Sequence, residues 1–185
     1  MLDQDFIQEN NPNTSIWPHA FRNGIIWGLL GIAIQLGMLF TGVLEQTLDG
    51  SANTSVTVFS SLVGVAIAVW CIYSAIKSFR DERGSLTFGN AVGVGAMTGL
   101  VYGLVSAVWT FIFFSFIFPD FYDTIQQTAL AQYEEAGMDE DQIEQAMTWV
   151  NMFSNPVFSA ISAIPGGAIY GTILSLIIGI FTKTD

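Results

Sequence analysis

Apolar residues fill four long stretches of the chain, 24–44, 56–76, 91–118 and 157–181, and none of the four contains Asp, Glu, Lys, Arg or His. A helix of about 20 apolar residues crosses the hydrocarbon core of a bilayer, and backbone groups in lipid must pair internally, so each stretch predicts a transmembrane helix. Between the third and fourth stretch the pattern changes. Residues 119–156 alternate apolar and polar positions at helical spacing. One stripe runs through Phe121 or Tyr122, Ile125, Ala129 and Tyr133, and a second through Ile143, Met147, Val150 and Phe153. Gly137 suits the C′ position of the first of these helices and Asp139 the N-cap of the second. The predicted fold is all-α: an integral membrane bundle of four transmembrane helices, 24–181, with an extramembrane αα-hairpin, 119–156, inserted between helices three and four. Residues 1–23 form an acidic cytoplasmic leader and 182–185 a cytoplasmic tail.

The distribution of basic residues sets the orientation. Arg22 precedes the first stretch, Lys77, Arg80 and Arg83 lie between the second and third, and Lys183 follows the fourth. Four crossings bring all of these to one side, while the segments on the other side carry no Lys or Arg. Cytoplasmic loops hold the excess of Lys and Arg, so both termini are expected in the cytoplasm and the hairpin outside. The five cations are read as anchors at the inner headgroups. The opening residues are acidic and lack the basic region that precedes a secretory signal core, so the first stretch is expected to act as an uncleaved anchor.

Lipid tails are as apolar as Leu, so helices in a bilayer associate through small residues that let backbones approach. Gly24 and Gly28 are four apart in the first stretch. Gly95, Gly99 and Gly103 continue that spacing in the third, and Gly167, Gly171, Ser175 and Gly179 in the fourth. These are the expected helix-packing positions, within the bundle or at a dimer face. Pro165 in the fourth stretch predicts a kink, because proline removes a backbone donor and crowds the preceding turn. Phe21, Asn23 and Gly28 at the head of the first stretch match Phe88, Asn90 and Gly95 at the head of the third. This suggests two related hairpins.

Composition narrows the chemistry. The chain has 16 acidic and 5 basic residues among 185, a formal net charge of −11, and so is a poor partner for nucleic acid. The spans hold no carboxylate to relay protons and no row of arginines to sense voltage. Cys71 is a lone cysteine and reads as a small apolar filler. His19 has no partner at metal-ligand spacing and reads as an ordinary flanking residue. Asp139, Glu140, Asp141 and Glu144 do not follow the alternation of a calcium loop, and helix capping accounts for them. No nucleophile–base pair, phosphate loop or cofactor motif is present in the sequence. Catalytic, cofactor and metal residues are therefore expected to be absent.

Several local motifs occur together. Phe79, Arg80 and Asp81 precede Gly84, and Phe88-Gly89 is followed by Ala91. Phe118, Pro119, Asp120 and Phe121 end the third stretch. The acidic turn spans 136–147, and Asn155-Pro156 opens the fourth stretch. With this combination the chain resembles the bacterial membrane proteins grouped as domain of unknown function 4199, over about residues 24–183. The resemblance implies a four-helix protein of the bacterial inner membrane with an outward helical hairpin. It implies no activity. The chain departs from the family pattern in having one lysine, Lys183, in its tail and an acidic leader. The expected role is a non-enzymatic accessory or scaffold protein that contacts the lipid bilayer and presents the hairpin to an envelope protein, alone or as a homo-oligomer. A small oligomeric channel or carrier is the alternative.

Overall fold

The computed structural model describes residues 14–48 and 54–182. Every regular element among them is helical: α1 Trp17–Phe40, α2 Val43–Leu48, α3 Thr54–Arg83, α4 Phe88–Ile112, a π-helical turn Phe113–Ile117, α5 Phe121–Glu135, α6 Glu140–Phe153 and α7 Pro156–Thr182. Four helices are long and apolar enough to cross a membrane, Trp17–Phe40, Thr54–Arg83, Phe88–Ile117 and Pro156–Thr182. Most of their residues are not covered by protein, which suits helices solvated by lipid. Lys183 and the first part of the acidic leader lie outside the described residues.

The helices do not begin and end where the charge-free stretches do. A missing charge marks what lipid tolerates, whereas a helix ends where its terminal amides and carbonyls find other partners. The first helix starts at Trp17, well before residue 24, because Pro18 sits in the first turn, where an N–H has no helical partner in any case. It stops at Phe40, before residue 44, because Gly42 turns left-handed at φ 72° and its N–H bonds to the Leu39 carbonyl at 3.1 Å. The second helix runs past residue 76 to Arg83 and ends at Gly84, φ 81°. The fourth begins at Pro156, with the Asn155 side chain accepting from the Val157 N–H at 2.9 Å and the Phe158 N–H at 3.2 Å. α7 then runs without interruption through Pro165.

The described residues divide into two compact units, one made of those up to 105 together with 165–182, the other of 106–164. In the first unit the core is built by Ala68, Cys71, Ile72, Ala75, Ile76 and Phe79 of α3 with Trp27, Leu86, Ala91, Val94 and Ile178. α1 and α4 run parallel here: a Cβ on Gly24 would meet the Thr98 carbonyl and Val101, and one on Gly28 would meet Val105 at 2.5 Å. α4 and α7 run antiparallel along their glycines. A Cβ on Gly167 would meet the Gly99 carbonyl at 2.5 Å and Gly103 Cα at 2.8 Å. One on Gly171 would meet the Gly95 carbonyl at 2.5 Å and Gly99 Cα at 2.8 Å. Gly95 itself faces the Ser175 side chain, and Gly179 faces Phe88 and Ala91 at 3.3 Å. The matched residues Gly28 and Gly95 therefore face different partners, α4 and α7. Two equivalent hairpins would have placed Gly28 against α3, so the sequence match does not carry into the packing.

In the second unit the π-turn, closed by the Phe118 N–H on the Phe113 carbonyl at 2.8 Å, precedes α5. Phe114 stacks on Phe121 with centroids 4.2 Å apart and tilts against Tyr122 at 5.1 Å. α5 and α6 pack against each other. Gly137, φ 71°, turns the chain between them. Asp139 caps α6 by accepting from the Gln142 N–H at 2.8 Å, while the Gln142 side chain accepts from the Asp139 N–H at 3.3 Å. These two bonds form a reciprocal capping box.

Candidate functional site

Three places gather polar or aromatic groups. In the second unit, α5 and α6 leave a groove of about 510 Å³ between them, lined by Tyr122, Ile125 and Tyr133 from α5 and by Ala146, Trp149, Val150 and Phe153 from α6. Trp149 is 60% exposed and stacks loosely on Phe153 at 6.5 Å, so the groove wall presents bare aromatic surface. Tyr122 is only 7% exposed, and its hydroxyl is buried with no hydrogen-bond partner among the described residues. A buried hydroxyl with no partner is costly, and tyrosines of this kind are usually paired. The groove face of α6 is rotated from the stripe read in the sequence: Ala146 and Trp149 line it, while Ile143 and Met147 are only half-buried and lie outside it. Apolar spacing alone does not separate a face that covers its neighbour from one that stays open beside it.

In the first unit, a cleft of about 290 Å³ opens among α1, α3, α4 and α7, with Trp27, Ile34, Ser61, Val65, Tyr102 and Tyr170 in its walls. Trp27 stacks on Tyr102 at 4.0 Å and 14°, and Tyr170 closes on the indole at 5.9 Å. Gly64 lies at this cleft with open space where a Cβ would stand.

The third place corrects the reading of His19. The residue is 9% exposed inside α1. Its Nδ1 lies 2.9 Å from Ser78 Oγ, and its Nε2 lies 3.0 Å from Glu82 Oε2, out of line for a hydrogen bond. Its ring meets Phe79 edge-on at 5.8 Å, and the Arg83 guanidinium lies over the Phe79 ring, 5.7 Å from its centroid. Asn23 donates to the His19 carbonyl at 2.8 Å. His19 therefore ties the start of α1 to the end of α3. The signal was present: Ser78 and Glu82 are four apart, which puts both on one face of α3. Only the tertiary pairing of α1 with α3 brings His19 to that face.

Of the basic anchors, Arg22 and Lys77 are exposed, and Arg80 is half-buried with its guanidinium 3.5 Å from Asp81. Cys71 is fully buried in the α3 core. Among the described residues no three His, Cys, Asp or Glu side chains converge as a metal site would require.

No curated protein and no solved structure matches this chain. A family model described as "Protein of unknown function (DUF4199)" matches residues 22–184. That match takes in α1 from Arg22 onward, the other three apolar helices, the α5–α6 pair and the motifs between them, and the chain belongs to this family.

Proposed function

We propose that the chain is a non-enzymatic accessory or scaffold protein of a bacterial inner membrane, with both termini cytoplasmic, that presents the α5–α6 pair to an envelope protein. The observation that carries this reading is the groove on that pair. It combines exposed aromatic surface with a buried, unpartnered hydroxyl, in a region whose composition suits water. The orientation is supported by the five Lys and Arg at one end of the spans and none at the other. The strong negative charge argues against nucleic acid as the partner.

The test is native co-purification in mild detergent, with the full chain and with residues 122–153 replaced by a flexible linker. A partner held by the intact chain and lost with the linker is the expected result. A partner retained by the linker variant contradicts the reading. The aromatic cleft at Trp27, Tyr102 and Tyr170 favours a second reading, a small oligomeric channel or carrier. That reading predicts solute flux in proteoliposomes above the rate of empty vesicles, and a rate equal to theirs removes it.

A further inference from the structure

We infer that the cleft among α1, α3, α4 and α7 binds the head of an isoprenoid quinone. Trp27, Tyr102 and Tyr170 serve as its hydrogen-bond donors, and its tail stays in the bilayer. This goes beyond the docking role of α5–α6 and requires neither that role nor solute flux.

The cleft gathers three donors at a depth where lipid offers no acceptor. Trp27, Tyr102 and Tyr170 line it together, and each stands near the middle of its helix. Trp27 lies about 15 Å into α1 at a rise of about 1.5 Å per residue. In membrane proteins Trp and Tyr concentrate instead at the headgroup level, where their polar tips find partners. Here the indole N–H and the two hydroxyls have no hydrogen-bond partner among the described residues. Trp27 is 4% exposed, yet neither its N–H nor the Tyr102 hydroxyl is sealed inside protein. Ser61, in the same wall, is already satisfied, because its hydroxyl donates to the Thr57 carbonyl at 2.8 Å. Ser and Thr bond back to their own helix in this way, and the long rings of Trp and Tyr cannot.

An unpaired polar group in hydrocarbon is costly, so the cleft favours a molecule that carries acceptors to this depth. Phospholipid esters stay at the interface, and acyl tails have no acceptor. A quinone head is flat, bears carbonyl oxygens, and is held in hydrocarbon by its isoprenoid tail. Trp27 and Tyr102, stacked at 4.0 Å and 14°, offer an aromatic wall to such a ring, and Tyr170 stands 5.9 Å from the indole. The volume of about 290 Å³ is at the small end of the ~300–1,000 Å³ of ligand sites, which suits a ring and not its tail.

The experiment places the full chain in phosphatidylcholine nanodiscs and titrates in a decyl-benzoquinone labelled at its carbonyl carbons. Isotope-edited infrared spectroscopy reads the carbonyl stretch. The expected result is a second band, at lower frequency, that saturates with quinone and is missing from empty nanodiscs. Decylbenzene, which has ring and tail but no carbonyl, is expected not to displace it. Tyr102→Phe and Tyr170→Phe are each expected to weaken binding about two- to tenfold. Neither should lower the melting temperature, since neither hydroxyl has a protein partner to lose. Gly64→Leu places a side chain in open space at the cleft and is expected to abolish binding.

A carbonyl band identical in loaded and empty nanodiscs overturns the inference. Displacement by decylbenzene at equal concentration also overturns it, and would make the cleft a seat for any lipid tail. Should Gly64→Leu lower the melting temperature, the two tyrosine variants decide: full binding in the double variant Tyr102→Phe, Tyr170→Phe puts the quinone elsewhere and removes the assignment.

Discussion

Two helix pairs in this chain meet in opposite ways. α4 and α7 close until backbone faces backbone: the Cβ positions of Gly99, Gly167 and Gly171 are already occupied by carbonyls and Cα atoms of the facing helix. α5 and α6 meet through Tyr122, Tyr133, Trp149 and Phe153, and a groove of about 510 Å³ remains. In lipid no hydrophobic force pulls helices together, so a lasting contact needs close van der Waals approach, which glycine permits. Large rings hold their helices apart and leave apolar surface in search of a cover. The difference separates a contact made for assembly of the chain from a surface left over after it.

The largest expected effect breaks the closed pair. Gly171→Leu forces a side chain into the Gly95 carbonyl and Gly99 Cα, neither of which can rotate away. A loss of about 1–3 kcal/mol or more is expected, read as a lower melting temperature in detergent. An unchanged melting temperature would mean α4 and α7 do not touch there. Gly95→Ala sharpens the same point, because its main obstacle is a side chain, that of Ser175. Combining it with Ser175→Gly is expected to recover stability, with a coupling of about 0.5–3 kcal/mol in a double-mutant cycle. Additive losses would contradict the contact.

Next comes the open pair. Asp139→Ala removes the capping box of α6 and is expected to cost about 1 kcal/mol in local stability. Hydrogen exchange should rise across α6 and stay unchanged along α4 and α7. The smallest effect is the control. Gly64→Ala adds a methyl where the structure has open space, and a change within about 0.5 kcal/mol is expected. A large loss at Gly64 would mean that glycine position does not distinguish contact from exposure in this bundle.

Much of the architecture was legible because lipid imposes a simple rule on sequence. Charge-free stretches marked the four apolar helices, and the small-residue spacing named the glycines that α4 and α7 bring together. Helix ends were less legible. They depend on local bonding at Pro18, Gly42, Gly84 and Asn155 rather than on the limits of hydrophobicity. The contacts of His19 were not legible from its own neighbourhood, because Ser78 and Glu82 are distant in sequence and meet it only once α1 packs on α3. The apolar stripe of α5 was readable, but the unpartnered Tyr122 hydroxyl was not, since pairing is a property of the finished packing. The matched Phe, Asn and Gly positions misled for the same reason: identity along the chain does not fix which neighbour a glycine faces.

The proposed topology has the four apolar helices cross the membrane, with residues 119–156 on the face opposite the five basic residues. Labelling with a membrane-impermeant maleimide tests it in intact cells, in a Cys71→Ser background, comparing Glu135→Cys on α5 with Asp81→Cys beside Arg80. The account predicts that Glu135→Cys labels in intact cells and that Asp81→Cys labels only after the membrane is opened. Labelling of Asp81→Cys from outside, with Glu135→Cys protected until lysis, would reverse the orientation and remove the envelope partner with it.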